Sequence, residues 1–257
     1  MHLVATLLTQ IEDATGLQGK IGISVLIETA MGMAKANEIA GSAPDRMEAM
    51  VFGVADYAAS LQSHTTSIGG ATPDYAVLTD VNGSEAREWH WGDQWHYALS
   101  RVAVACRAHG LRPIDGPFGD FNDADGYKAA ARRAAVLGYE GKWAIHPSQI
   151  ELANDVFTPD DHIVEKTHKM IEAMERASAE GKGAVSVDGR LIDAASIRMA
   201  ESLLAKLEHI EAKGDASPEK KPLRPRRWEL HSRDRGDEER ASSAALAAGP
   251  GTARVDR

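Results

Sequence analysis

A chain of 257 residues with 43% hydrophobic side chains is long enough to bury a core of its own. A formal net charge of −9 argues against nucleic acid as a general partner, and a single cysteine, Cys106, excludes an internal disulfide framework. No run approaches the roughly 18 apolar residues of a membrane span, so no membrane partner is expected, and the thiol content fits a reducing cytoplasm.

The opening residues 2–15 are predicted to be helical, with Leu3, Leu7, Leu8 and Ile11 on one face and no secretory-signal pattern. "IGISVLI", 21–27, reads as a buried strand that stops on a carboxylate, Glu28. A helix over 31–42 follows, then a second strand over 47–54, close to another carboxylate, Asp56. A polar, Gly-containing stretch over 60–91 precedes a helix over 92–109. A third strand is read over 111–117, a helix over 123–138 capped by Asp123 and Gly138, and a fourth strand over 141–147. This alternation predicts successive βα units of a parallel sheet, an α/β fold. A helical part, 159–213, comes next, with a turn before a helix that starts after Asp193.

The last segment, 214–257, is rich in Pro, Arg, Ser, Gly and Ala and is expected to be disordered. It carries ten basic and eight acidic side chains, so residues 1–213 hold a net charge of −11. Its "KKPLRPRR" run reads as a solvated patch rather than a dedicated binding site.

In parallel βα architectures, loops and helix N-termini converge at the carboxyl ends of the strands, and sites form there. Glu28 and Asp56 fall at that edge on neighbouring strands. A charge there needs a partner, water or a metal. Two carboxylates without Cys or His ligands suit a hard cation, Mg²⁺ first and Mn²⁺ as a substitute. Each carboxylate alone is read equally well as a favourable charge at a helix start. The "EWHWGDQWHY" cluster, with His90, Trp91, Trp95 and His96, is explained by packing before metal binding.

Five stretches carry a resemblance: "VLIETAMGMAKANEIA", "MVFGVADYAAS", "GLRPIDGPFGDFND", "GKWAIHPSQIELANDVFTP" and "GKGAVSVDGRLIDAASIRMA". In order and spacing they resemble the citrate lyase β-subunit-like aldolases, and within them the malyl-CoA/β-methylmalyl-CoA lyases, over residues 2–213. The resemblance implies a TIM barrel with a C-terminal helical lid, in a trimer or hexamer. It implies Mg²⁺ on Glu28 and Asp56, with Thr29, Ala30, Met31 and Tyr57 against the 2-oxo acid, glyoxylate. Ile145 and His146 would line a coenzyme A pocket, although a His before Pro at a strand end equally well bonds to backbone.

Asp193 reads as an N-cap from the sequence alone; the resemblance makes it an acid/base delivered by a neighbouring subunit's lid. The implied reaction is reversible Claisen-type cleavage of an acyl-CoA thioester. A full barrel needs eight βα units, typically about 250 residues. Only four strands are read here, corresponding to strands five to eight, and the family's enolate-stabilising Arg from the early strands has no counterpart. The expectation is therefore a partial TIM barrel over 1–158, a lid over 159–213 and a tail over 214–257, inactive alone. The alternative is a non-catalytic remnant that associates with intact homologues.

Overall fold

The computed structural model describes residues 1–17, 20–80 and 87–215. The chain divides into two units, Met1–Ile210 and Glu211–Arg257. Of the second, only the end of a helix lies among the described residues, so the tail read as disordered falls outside them apart from that end.

The first unit is built on four parallel strands in the order β1-β2-β5-β6: β1 (Ile23–Ile27), β2 (Met47–Phe52), β5 (Arg112–Asp115) and β6 (Gly141–Lys142). Helices separate them: α1 (His2–Thr15) before β1, then α2 (Ala30–Ala34) and α3 (Ala36–Ala40). α4 (Val54–Ser60) and α5 (His96–Ala108) lie between β2 and β5, and α6 (Ala124–Val136) between β5 and β6. Between α4 and α5, a 3₁₀ turn (Pro73–Tyr75) and a two-stranded antiparallel ribbon, β3 (Val77–Leu78) with β4 (Trp89–His90), interrupt what reads as loop. α7 (Ser148–Phe157) and α8 (Asp161–Ala179) follow β6. A hairpin, β7 (Ala184–Val187) with β8 (Arg190–Asp193), then leads into α9 (Ala194–Asp215).

The strand register sorts the sheet into two unlike faces. Val25, Ile27, Met50, Phe52 and Pro113 share one face, which packs on Leu99, Val102 and Cys106 of α5. Ala98, Ala103 and Ala105 of that helix are buried in the same core. Ser24, Leu26, Ala49, Val51, Arg112 and Ile114 share the other face; Leu26 is 41% exposed there, and of the six Ala49 alone is buried. Parallel sheets are ordinarily covered on both faces.

Several boundaries differ from the sequence reading. The helix read over 31–42 is two short helices broken at Lys35, whose φ of −102° and ψ of 17° leave the helical region. The second strand ends at Phe52, so Asp56 stands in the first turn of α4. The fourth strand covers only Gly141–Lys142, which puts His146 in the loop before α7. The stripe on α1 is largely uncovered: Leu3, Leu7 and Ile11 are exposed, and Leu8 alone of the four packs on the core. Asp123 caps α6 by accepting from Gly126 N at 2.8 Å, and Gly138, with φ of 93°, follows that helix's end.

Two buried ion pairs pin the unit. Arg46 donates to both oxygens of Glu12, at 2.8 and 2.6 Å, tying α1 to the start of β2. Lys142 Nζ donates to Asp115 Oδ2 at 2.6 Å and to Gly116 O at 2.8 Å, tying β6 to β5. Cys106 is buried, and burial pushes its thiol up to about 11, so it packs as an inert small hydrophobe.

Candidate active site

The carboxyl ends of the four strands bring four loops to one edge of the sheet. Glu28 directly follows β1, and Gly53 and Asp56 follow the adjacent β2. Gly53 N donates to Ile27 O at 3.0 Å, which draws the two loops together. The half-buried Glu28 side chain lies against Gly53; a Cβ there would stand 3.1 Å from Glu28 Oε2. Asp56 is exposed on the first turn of α4. Among the described residues neither carboxylate has an ion pair or a side-chain hydrogen bond. No group of three or more His, Cys, Asp or Glu converges among the described residues, and Glu28 and Asp56 are the two carboxylates those residues offer at this edge without a partner. That donor set fits Mg²⁺, which takes one or two carboxylates and completes its shell with water and substrate oxygens.

Thr29 caps α2, its Oγ1 accepting from Gly32 N at 2.9 Å. Ala30 N donates to Ser60 Oγ at 2.9 Å, fastening the loop after β1 to the end of α4. Met31 is 65% exposed beside them. Tyr57 is placed otherwise: it is only 6% exposed and meets Phe52 and Trp95 edge to face, at 5.4 and 6.5 Å. Trp95 Nε1 donates to Gly70 O at 2.7 Å, so this tryptophan serves packing. Trp91 lies under the Arg133 guanidinium at 5.0 Å.

Ile145 and His146 are exposed in the loop after β6. The His146 ring stacks on Phe121 from the loop after β5, with centroids 4.6 Å apart and planes at 18°. Phe121 and the Gln149 and Ser148 side chains that bond to these loops are absent from the sequence reading. "HPSQ" carries a signal, since a glutamine on a helix that must bury one face needs partners for both ends of its amide. Asp115 is a further missed carboxylate at this edge, but Lys142 occupies it, and the pair lies on the helix-covered side near Tyr127.

Asp193 ends β8 and caps α9. Its Oδ1 accepts from Ala195 N at 3.0 Å, Ser196 N at 2.9 Å and Ser196 Oγ at 3.1 Å. The Ser196 bonds hold its carboxyl below the usual carboxylate range. Among the described residues, the hydrogen bonds of its carboxylate run to its own helix, none to Glu28, Asp56 or the segments that carry them.

A parallel βα sheet with carboxylates at its carboxyl edge, followed by a helical segment, is an α/β arrangement whose strand-end loops form the candidate site. The chain belongs to the HpcH/HpaI aldolase/citrate lyase family, whose sequence pattern matches residues 1–147. It is 48% identical over 208 residues to the L-malyl-CoA/β-methylmalyl-CoA lyase of Rhodobacter capsulatus, a match covering 81% of this chain and 63% of that protein. It is 38% identical over 216 residues to the malyl-CoA/β-methylmalyl-CoA/citramalyl-CoA lyase of Chloroflexus aurantiacus, covering 84% of this chain and 60% of the relative. The chain thus spans less than two thirds of the length of these relatives. Among solved structures, a citrate lyase from Burkholderia xenovorans LB400 shares the fold at a TM-score of 0.62 and 22% identity, covering 85% of this chain and 62% of that one. Protein CitE from Mycobacterium tuberculosis, solved with magnesium, acetoacetate and coenzyme A, matches at a TM-score of 0.56 and 24% identity, covering 73% of this chain and 61% of that one. No helix among the described residues is long and apolar enough to cross a membrane.

Proposed function

We propose that this chain supplies the metal-holding part of a Mg²⁺-dependent carbon–carbon lyase. The enzyme would cleave L-malyl-CoA or β-methylmalyl-CoA to glyoxylate and acetyl-CoA or propionyl-CoA. The observation that carries the reading is the pair of carboxylates at the carboxyl edge of the sheet, Glu28 directly after β1 and Asp56 in the first turn of α4 after the adjacent β2, neither with an ion pair or side-chain hydrogen bond among the described residues. The names of the relatives support the substrate class, and the magnesium and coenzyme A of the Mycobacterium tuberculosis structure support the cofactor.

Glu28 and Asp56 would hold the ion, with Thr29, Ala30 and Met31 beside the 2-oxo acid. Bound there, Mg²⁺ supplies Lewis-acid polarisation of the oxygen on C2 of the malyl unit. Cleavage breaks the bond between the carbinol carbon and the carbon α to the thioester. The proton of the C2 hydroxyl would pass to water as glyoxylate forms, and the electron pair of the broken bond would pass to the thioester as an enolate. Asp193, in its acid form, would deliver a proton to the enolate carbon; as carboxylate it would remove that proton in the condensing direction. Its capping bonds favour the carboxylate. Ile145 and His146 would line the coenzyme A pocket.

The uncovered sheet face and the two free edges, β1 and β6, support a half barrel over 1–158, completed by further βα units to about eight strands. The lid over 159–213 would then reach a neighbouring subunit in a cytoplasmic homo-oligomer, a trimer or hexamer. The same open face favours a second reading, a non-catalytic chain that associates with intact homologues. The Chloroflexus relative keeps citramalyl-CoA open as a substrate.

Glyoxylate release from L-malyl-CoA with Mg²⁺ tests the proposal. The chain alone is expected to release none. Co-expression with the part of the Rhodobacter capsulatus relative that it does not match is expected to restore release. A soluble complex of the two that stays inactive would reject the lyase reading and leave the second.

A further inference from the structure

Phe121 and His146 come from different loops, yet their rings stack at 4.6 Å. What fixes them lies beneath. Gln149 is 0% exposed, and its amide spans the gap between the loops. Its Nε2 donates to Phe118 O at 2.9 Å, in the loop after β5; its Oε1 accepts from Ile145 N at 2.9 Å, in the loop after β6. A buried amide that lost either bond would keep an unsatisfied polar group, so both loops are held in one register.

Ser148 makes the second tie. Its backbone N–H lies 3.2 Å from His146 Nδ1 and its Oγ 2.8 Å from the same nitrogen. A backbone N–H can only donate, so within this network Nδ1 accepts and carries no proton. The neutral ring then bears its proton on Nε2. Ser148 Oγ has a single proton, which within this network goes to Nδ1, so its 3.4 Å approach to Phe121 O is a contact and not a second donation.

The geometry points to Gln149 and Ser148 as positioning residues: Gln149 sets the stack of Phe121 on His146, and Ser148 sets His146 as an Nε2–H donor toward an oxygen acceptor of the acyl-CoA. The ligand part rests on the reading of Ile145 and His146 as pocket residues. The ring arrangement does not, and it is measured separately.

Nitrogen-detected NMR of the histidine rings in the full chain reads the tautomer, and the ring-proton shifts of His146 read the stack. Phe121→Leu identifies the shift change that marks loss of stacking. Gln149→Leu is expected to move the His146 ring protons toward the Phe121→Leu positions, with the circular dichroism unchanged. Ser148→Ala, which keeps the backbone donor, is expected to lower the ratio of the Nε2–H to the Nδ1–H form by about five-fold, the effect of one hydrogen bond. Should Gln149→Leu fail to fold, Ser148→Ala decides alone. Ring signals that stay put in every folded variant overturn the positioning role, as does an Nδ1–H tautomer in the unchanged protein. Calorimetric titration with coenzyme A then tests the ligand part. Binding weakened about ten-fold in either variant, a loss of the size seen for displaced supporting residues, upholds it. Ring signals that respond while coenzyme A affinity does not, or while no form binds coenzyme A, overturn the ligand part and leave the positioning role standing.

Discussion

The space beside Glu28 is open only because residue 53 is glycine: a Cβ on Gly53 would lie 2.4 Å from Glu28 Cβ. No ordinary side chain approaches so closely, and the nearest atom it would meet is at the root of Glu28, with Cα behind it at 3.3 Å, so rotation of the side chain's tip gives no relief. Gly53→Ala is therefore expected to push Glu28 out of place while leaving both carboxylates in the sequence. In whichever form of the protein binds the ion, Mn²⁺ affinity measured by electron paramagnetic resonance should fall by about 10–100-fold. Glu28→Gln, which removes the charge without crowding, should weaken binding at least as much. Unaltered affinity in both would remove Glu28 from the metal site.

Lys142 and Asp115 form an ion pair buried between β5, β6 and α6, with side chains only 2% and 8% exposed. Lys142→Met leaves the Asp115 carboxylate buried with Gly116 N at 2.8 Å as its remaining hydrogen-bond donor. Denaturant unfolding of Lys142→Met should show a loss of about 3–5 kcal/mol, and the double variant with Asp115→Asn should lose less than Lys142→Met alone. A double variant as unstable as the sum of its parts would mean that the two groups act independently.

What was legible in the sequence follows from which interactions are local. Apolar runs located the first three strands of the main sheet, and Asp123 announced the start of α6, because these signals lie within a few residues of the structure they make; the fourth strand is the short Gly141–Lys142, beside the apolar Trp143–Ile145 and not within it. The Asp188–Gly189 turn was equally legible, as both residues adopt positive φ, 50° and 74°, in the pattern of a two-residue hairpin. The sequence pattern predicts a turn there, and the structure adds the two strands, Ala184–Val187 and Arg190–Asp193, that it joins. The pairing of Asp115 with Lys142 and the bridge through Gln149 join segments 27 to 31 residues apart, and no local pattern encodes such partners. Amphipathicity misled at α1 for a related reason: periodicity shows that Leu3, Leu7 and Ile11 share a face, not that anything covers it. At the candidate site, the place of Glu28 at the end of β1 was legible because a charge ended an apolar run. Tyr57 was not, because its burial depends on Trp95 arriving from another helix.

Acid should loosen the attachment of α1. Hydrogen bonds from Arg46, and then from Ile21 N, lower the Glu12 carboxyl from its ordinary 4.5 to about 2. A carboxyl whose folded value is depressed stabilises the fold fully above its unfolded value, and that stabilisation fades as pH falls toward the folded one. The contribution should therefore be complete above about pH 4.5 and disappear toward pH 2. Thermal melts of the unchanged protein and Glu12→Gln, compared from pH 7 to pH 2, should differ most at neutral pH and converge at the acid end. A constant offset across the range would show that the pair's charge contributes nothing.

Asp193 distinguishes the lyase from the remnant. As a cap, it needs only an acceptor oxygen for Ala195 N, Ser196 N and Ser196 Oγ. Asp193→Asn keeps that oxygen, so the helix should start at the same residue and the melting temperature should change little. As an acid/base it needs a proton that comes and goes, and an amide cannot supply one. In the complemented enzyme, Asp193→Asn should keep Mn²⁺ binding but lower turnover by about 10²-fold or more. Asp193→Ala should lose both the cap and turnover. If the lid acts across subunits, mixing Asp193→Asn chains with Glu28→Gln chains should recover part of the activity, because some interfaces would join an intact lid to an intact metal site. Near-normal turnover in Asp193→Asn would leave this carboxylate as a helix cap alone, and failure of recovery despite demonstrated subunit exchange would confine any catalytic role to its own chain.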